Sequence, residues 1–185
     1  RVTGRRIDVK DAKEKRPKAP SGRVTVFAPA SIGNVGPGFD VLGMAVTGRG
    51  DTVTARVTLT PGVRILAITG DSRNLPLDPG KNTAGIAAGE VLRLLGVKQG
   101  VELSIHKNIP GSGMGSSAAS AVAGAFAVNA LFGGNLSKQD LLLPAASAES
   151  RVSGGYFLDN VGASLLGGII VTNPFSKHTV SLGTI

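Results

Sequence analysis

The 185-residue sequence predicts an α+β domain, because strand patterns come first and helical patterns then alternate with further strands. Its 42% apolar and 17% charged residues give the ordinary balance of a globular protein. The absence of cysteine excludes a disulfide scaffold, a thiol nucleophile and a cysteine-based metal site, and two histidines are too few for a histidine-rich metal centre. No apolar run is long enough to cross a membrane, so we expect a cytoplasmic protein with no membrane partner.

The predicted strands follow from the alternation of apolar and polar residues. Residues 23–28 alternate first, and residues 51–60 alternate again. Residues 63–69 can pair with this second strand across the Thr-Pro-Gly turn at residues 60–62, which predicts a hairpin. A further strand is predicted over residues 101–106.

Two helices are predicted from apolar spacing and composition. Residues 81–95 carry apolar side chains at helical spacing, and Gly96 closes that helix. Residues 116–131 are rich in alanine, which is a strong helix former, and the glycine pair at residues 133–134 stops the helix.

The segment after these glycines predicts a third helix and a last strand. Ser137 can cap the helix with its hydroxyl, and the helix is expected to run to about residue 150. Residues 161–171 include the letters LLGGIIV and are predicted as a buried strand or a strand-turn piece.

Charge separates a basic arm from the rest of the chain. Residues 1–22 hold eight basic and three acidic residues without hydrophobic periodicity, so we expect a flexible arm there. The remainder carries little of the net charge of +8, and aromatic residues make up only 4% of the chain, so nucleic acid is not an expected partner. We assign residues 23–172 to one domain and residues 173–185 to the start of a linker or second domain. Because the first residue is arginine rather than methionine, we expect the sequence to be a piece of a longer protein.

The glycine-rich run from residue 109 to residue 120 is the most informative segment. Glycine occupies every second position from Gly111 to Gly115, so backbone N–H groups can converge where no Cβ blocks close approach. The helix that follows adds its positive N-terminal end, so the run can hold a phosphate chain. It is neither a Walker loop nor a dinucleotide-binding fingerprint, because the required lysine and glycine spacing are absent. The residues alone leave open a purely structural turn before the helix.

A metal ion is expected beside this run, because no lysine within it could balance the phosphate charge. Ser116 or Ser117 can offer a hydroxyl ligand. Glu149 is the candidate for the carboxylate that would complete a magnesium site, since Mg²⁺ prefers oxygen ligands.

Four ordered segments resemble the motifs of the GHMP kinases, which are named for galactokinase, homoserine kinase, mevalonate kinase and phosphomevalonate kinase. The run PGSGMGSSAAS is similar to the second family motif, and residues 27–43 (FAPASIGNVGPGFDVLG) resemble the first motif of the homoserine kinase members. Residues 81–84 resemble the segment ahead of the glycine run, and residues 148–168 contain the later segment (AESRVSG, then DNV and LLGG). The resemblance covers about residues 23–172.

This resemblance implies the N-terminal, ATP-binding domain of such a kinase, with a fold like the second domain of ribosomal protein S5. The C-terminal, ferredoxin-like domain would then be largely missing from the sequence. The implied activity is ATP-dependent phosphorylation of the side-chain hydroxyl of L-homoserine to O-phospho-L-homoserine, a step of threonine biosynthesis. A kinase of the mevalonate or shikimate type and a catalytically silent nucleotide-binding module are the alternatives, and a homodimer is one option for the oligomeric state.

The resemblance also implies which residues bind ATP. It assigns the glycine run to the ATP phosphates and places Mg²⁺ between a loop serine and Glu149, which is thereby one of two implied catalytic residues. It assigns Asn82 to the purine pocket, although an Asn-Thr pair that opens a helix can equally be an N-cap. The implied ATP-binding residues are Asn82, Pro110, Gly111, Ser112, Gly113, Met114, Gly115, Ser116, Ser117, Ala118 and Ala119.

For the acceptor, the resemblance implies that Asn34 and Asp40 hold homoserine, with Asp40 facing its ammonium group. The glycines of this motif would let the loop fold tightly around a small ligand. Asn160, the second implied catalytic residue, stands where mevalonate kinases have an aspartate base. An amide cannot take a proton at neutral pH, so Asn160 would bind and orient the hydroxyl. Asp159 is the fallback base, and Phe157 replaces a histidine that is common in the family.

Overall fold

A computed structural model describes residues 22–70, 74–110, 113–155 and 158–173, and the backbone of residues 178–183. Among them the α+β prediction is confirmed, whereas the predicted arm lies outside these ranges except for Gly22. The strands are β1 (Arg23–Val35), β2 (Gly38–Thr58), β3 (Val63–Thr69), β4 (Gly100–His106), β5 (Ile169–Asn173) and β6 (His178–Gly183), and the helices are α1 (Thr83–Leu95), α2 (Ser116–Leu131), α3 (Lys138–Ser153) and α4 (Asp159–Leu166).

The long strand β2 organises the sheet. One edge of β2 pairs with β1 along most of its length, and the other edge pairs with β5 near its start and with β4 near its end. The strand order is β3-β4-β2-β5-β6, and only the β3–β4 pair is parallel among the described strands. Helix α1 connects β3 to β4, as a crossover between parallel strands requires.

The predicted hairpin between residues 51–60 and 63–69 is wrong. β4 occupies the edge of β2 that this hairpin would need, with Thr52 to Thr58 opposite His106 to Gly100. The turn at residues 60–62 instead carries β3 to the far side of β4, where the Val101 N–H donates to the Gly62 carbonyl at 2.8 Å.

The first glycine-rich motif, residues 27–43, is a hairpin rather than a loop folded around a ligand. Its two arms belong to β1 and β2, with a turn at residues 36–37. The pairing register shifts between Pro29 and Ala30, so three residues of β2 lie outside the ladder. This irregularity bends the hairpin, which is what a bulge does to a strand pair.

The predicted helices form with the caps that the sequence indicates. Gly96 adopts the left-handed conformation at the end of α1 and donates its N–H to the Arg93 carbonyl. Ser137 and Asp140 form a capping box at the start of α3, which continues to Ser153, three residues beyond the expected end.

The strand expected over residues 161–171 is only partly correct. Residues 161–166 belong to the helix α4, and β5 begins at Ile169 after Gly167 and Gly168, both with positive φ. A short apolar run does not distinguish a buried helix from a buried strand, so the periodicity could not settle this segment.

Helix α2 packs on β1 and β2 of the sheet and against the other three helices. It is buried on nearly all sides, as its small apolar residues predict. A Cβ at Gly124 would lie 2.6 Å from the Ala84 carbonyl oxygen, so α1 and α2 pack with their backbones close together. Within the described ranges, no helix is both long and apolar enough to cross a membrane.

Candidate active site

The first turn of α2 leaves its backbone N–H groups available. Gly115 is the N-cap residue with φ 61°, and no side chain of the described residues caps this end of the helix. Gly113 has φ 92°, and a Cβ added there would meet no atom of the described residues within 4 Å. Uncapped first-turn amides are what an anion site at a helix N-terminus requires. Gly111 and Ser112 lie outside the described residues.

The two candidate metal-binding serines point to different partners. The Ser117 hydroxyl donates to a carboxylate oxygen of Glu149, which α3 brings to the side of the loop. The Ser116 hydroxyl donates instead to Asp51 at 3.2 Å beneath the helix. The structure therefore brings Ser117, and not Ser116, to Glu149.

Glu149 is half-buried between α2 and α3, and burial raises the pKa of its carboxyl group. The hydrogen bond from Ser117 and the charge of Lys107 act against this rise in pKa, whereas the charge of Asp159 adds to it. A carboxylate whose ionised form is disfavoured by burial is suited to a site where a cation later compensates the charge.

The sequence analysis missed a buried ion pair between Asp51 and Lys107. Asp51 Oδ2 also accepts from Ser120 at 2.9 Å, and Asp51 Oδ1 accepts from the Asn108 N–H at 3.0 Å. The Lys107 ammonium also donates to the Ser116 carbonyl at 2.9 Å and to the Ser120 hydroxyl at 2.6 Å. A lysine ammonium therefore does lie directly under the first turn of α2, although Lys107 is outside the glycine run and its charge is paired with that of Asp51.

A signal for this pair was present in the strand periodicity. Asp51 lies on the same face of β2 as Val53 and Ala55, whose side chains are buried in the core. Lys107 follows Leu103 and Ile105 on the buried face of β4 in the same way. Two opposite charges on buried faces of neighbouring strands predict a pair, because neither could be buried alone.

The acceptor residues implied by the resemblance lie together at the hairpin tip and the start of α4. Asn34 Oδ1 accepts from the Asp40 N–H at 3.0 Å, and the Asn34 N–H donates to Asp159 Oδ2 at 3.2 Å. Both Asn34 and Asp40 have positive φ, which asparagine and aspartate tolerate better than other non-glycine residues. Asp159 is almost completely buried and accepts a second bond, from the Asn160 N–H, at 2.9 Å.

Ser31 connects this acceptor cluster to the glycine run. Its N–H donates to the Met114 carbonyl at 3.1 Å, and its hydroxyl donates to Asn160 Oδ1 at 3.1 Å. A Cβ at Gly115 would overlap the Ser31 hydroxyl and lie 3.0 Å from Asn160 Oδ1. The glycine run and the acceptor residues that the resemblance implies therefore meet around one serine, which sequence reasoning did not single out.

Asn82 is an N-cap. Its Oδ1 accepts from the Ala84 N–H at 3.0 Å, and its Nδ2 donates to the Pro76 carbonyl at 3.3 Å. Asn82 also lines a small pocket beside the start of α2, together with Thr83 and Lys107. The cap and a position next to a bound base are compatible, because the pocket lies against the same turn. Phe157 lies outside the described residues.

Comparisons with known proteins agree with this geometry. Residues 82–168 match the family model described as the GHMP kinases N terminal domain. The chain is 43% identical over 156 residues to the homoserine kinase of Thermoplasma volcanium, covering 84% of this chain and 48% of that protein. A homoserine kinase structure from Cytophaga hutchinsonii superposes with a TM-score of 0.82 at 44% identity, covering 86% of this chain and 51% of the other.

A more distant likeness supports the fold alone. The L. major mevalonate kinase, solved in complex with R-mevalonate, has a TM-score of 0.69 and 19% identity, with 89% of this chain and 53% of the other covered. The chain spans about half the length of the curated relatives it matches. The fold, the ordered motifs and these matches agree, and the chain belongs to the GHMP kinase family.

Proposed function

We propose that the chain forms the ATP-binding part of a homoserine kinase, which transfers the γ-phosphoryl group of ATP to the side-chain hydroxyl of L-homoserine. Relatives named as homoserine kinases are 43% to 47% identical to it over about four fifths of its length. The observation that carries the proposal is the connection of the uncapped turn of α2 to Asn160 through Ser31, with Asn34 bonded to the neighbouring Asp159. Two ligands bound on either side of Ser31 would have their reacting groups next to each other.

The residues of the glycine run fit Mg-ATP. The first-turn amides and the helix end would bind phosphate oxygens, and Lys107, whose charge is paired with Asp51, fixes the turn from below through the Ser116 carbonyl. Ser117 and Glu149 offer two oxygen ligands side by side, and Mg²⁺ is commonly held by one or two carboxylates together with phosphate oxygens and water. When bound, Mg²⁺ would neutralise charge on the phosphate oxygens. Among the described residues no three acidic or histidine side chains cluster, so we assign no all-protein cage.

In the proposed reaction the homoserine hydroxyl oxygen forms a bond to the γ-phosphorus while the bond to the bridging oxygen of ADP breaks. The hydroxyl proton passes to the transferred phosphoryl group or to water. Asn160 would orient the hydroxyl through its amide. Asp159 accepts two backbone N–H groups while buried, so we assign it the orientation of Asn34 and Asn160 rather than proton transfer. Rate acceleration would then come from placement and charge stabilisation.

Substitution of Gly113 tests the phosphate site. A Cβ at Gly113 enters open space, so Gly113→Ala should leave the fold intact and obstruct a ligand that approaches the backbone. We expect the affinity for Mg-ATP, measured by calorimetry, to fall by about tenfold or more. Gly62→Ala is the matched control, because Gly62 has φ 93° and equally open surroundings but lies in the turn before β3. Equal affinity in both variants and the unchanged chain would contradict the assignment.

The choice of acceptor is tested by assaying L-homoserine, mevalonate and shikimate side by side. We expect phosphorylation of homoserine above the other two alcohols, because Asn34 and Asp40 provide polar groups for an amino acid. Binding of Mg-ATP without transfer to any of the three, in a protein as long as the relatives, would favour a silent nucleotide-binding module.

A further inference from the structure

The ion pair between Asp51 and Lys107 is buried on both sides, with 0% and 5% of these residues exposed. Such a pair contributes little net stability, because desolvation of both charges offsets their attraction. It is hydrogen-bonded to the start of α2, through Ser116 and Ser120. Its location, rather than its strength, therefore indicates what it does.

We propose that Asp51 is a positioning residue for the phosphate site: through Lys107 and the hydroxyls of Ser116 and Ser120 it fixes the first turn of α2 before any nucleotide binds. This inference rests on the proposed binding of ATP phosphates to that turn. It adds a residue of β2, far from the glycine run in sequence, to the binding machinery.

The first step of the argument concerns how α2 is anchored. A side-chain N-cap normally stabilises a helix start by accepting hydrogen bonds from its first amides. Here the N-cap is Gly115, and within the part of the chain that the structure describes no side chain makes such a bond. A capping side chain would occupy the amides that a phosphate needs. Anchoring the turn through its carbonyl and hydroxyl groups leaves those amides available.

The second step concerns what Asp51 joins. Its Oδ1 accepts from the Asn108 N–H, in the segment that leaves β4. Its Oδ2 accepts from the hydroxyls of Ser116 and Ser120 on α2 and pairs with Lys107. One carboxylate on β2 therefore fixes both ends of the segment that contains the glycines. A glycine-rich segment has high conformational entropy, so fixing its ends in advance lowers the entropic cost of binding.

Hydrogen exchange of the nucleotide-free 185-residue chain tests the positioning directly. Asp51→Asn keeps the size of the side chain but removes the charge that pairs with Lys107. We expect backbone amides of residues 115–122 to exchange about tenfold faster, with less than about twofold change in α1 and α3. Glu102→Gln is the matched control, since Glu102 is also buried and ion-paired but contacts Arg56 and Arg64 away from α2.

A second variant covers the case in which Asp51→Asn does not fold. Ser120→Ala removes the bridging hydroxyl and leaves the ion pair in place, and we expect about a threefold local rise in exchange. For both variants we expect Mg-ATP to bind more weakly than to the Glu102→Gln variant. Exchange that stays unchanged in residues 115–122, or that rises equally in every helix, would overturn the positioning role. An unaltered chain that binds no Mg-ATP would overturn the proposed function instead, and a local rise in exchange would still support anchoring by Asp51.

Discussion

In the first glycine-rich motif, residues 27–43, Gly33 and Gly43 lie against the start of α4. In the second, residues 110–119, Gly113 faces open space. A Cβ at Gly43 would overlap the backbone carbonyl oxygen of Asp159, and a Cβ at Gly33 would overlap the carboxylate of the same residue. Neither glycine has positive φ. Gly113, by contrast, has φ 92° and nothing within 4 Å of its missing Cβ.

Gly33 and Gly43 therefore serve packing, whereas Gly113 serves backbone conformation. The hairpin needs glycine at positions 33 and 43 because α4 lies directly on it with Asp159 and Asn160. The loop before α2 needs glycine at position 113 because its backbone turns through a conformation that other residues avoid. Substitution of Gly33 or Gly43 should therefore affect mainly folding, and substitution of Gly113 mainly ligand binding.

The largest expected effect is that of Gly43→Ala. The added methyl group would collide with the Asp159 carbonyl in a tightly packed contact that has little freedom to relax. We expect a loss of about 3 kcal/mol or more in the free energy of unfolding, measured by urea denaturation. Gly36→Ala, at the open turn of the same hairpin, is the control and should cost far less. A similar loss in the free energy of unfolding for both variants would contradict the explanation that Gly43 is required by packing against Asp159.

Gly33→Ala should have an intermediate effect. Its methyl group would overlap the Asp159 carboxylate and come close to the Asn160 amide, and both side chains can shift a little. We expect a loss of about 2 kcal/mol in stability. Because Asp159 also accepts from the Asn34 N–H, the KM for homoserine should rise more than the KM for ATP. A larger change in the KM for ATP would contradict the division of the site.

For Gly113→Ala the cost in stability should be about 1 kcal/mol, the energy of placing a Cβ in a left-handed conformation. Gly62→Ala should cost the same, because the two φ angles differ by one degree. Thermal unfolding of both variants measures this. A cost in stability much above that of Gly62→Ala would mean that Gly113 is packed, as Gly33 and Gly43 are.

The smallest expected effect is a change in melting temperature that depends on the carboxylate of Glu149, which lies beside the second motif, whereas Asp159 lies beside the first. Asp159 is satisfied by two backbone N–H groups, whereas burial raises the pKa of Glu149. A raised pKa favours folding at low pH, and that contribution is lost as the pH rises through the pKa of the folded state. Glu149→Gln should therefore raise the melting temperature slightly at pH 7 and have no effect below pH 4.5, the ordinary value for glutamate.

Glu102 provides the opposite control. Hydrogen bonds from Arg56 and Arg64 lower the pKa of its carboxyl group, so its contribution to stability is present above pH 4.5 and lost at more acid pH. Glu102→Gln should therefore lower the melting temperature at pH 7. If Glu149→Gln also lowered the melting temperature at pH 7, the Glu149 carboxylate would be better solvated than its burial indicates.

The sequence predicted the helices because their signals are local. The apolar spacing of α1, the alanine-rich composition of α2 and the cap at Ser137 each act within a few residues. It failed on the partner of β3, because strand pairing depends on β4, which lies more than thirty residues further along the chain. The pair of Asp51 and Lys107 was missed for the same reason, since its members are separated by 56 residues.

The site residues follow the same division. The motif resemblance identified Glu149, Ser117, Asn34 and Asn160, which the structure brings to two neighbouring clusters. It could not choose between the two serines, because the choice depends on which one faces α3. The roles of these residues, the domain boundaries, a homodimer and a cytoplasmic location stay predictions.

The position of Ser31 restricts which substitutions this part of the protein can accept one at a time. Its backbone N–H is bonded to Met114 and its hydroxyl to Asn160, and Gly115 leaves room for it. A larger residue at any of these places would disturb the others. Substitutions at positions 31, 115 and 160 should therefore be coupled, and a matched exchange of all three residues should cost less stability than the sum of the single exchanges.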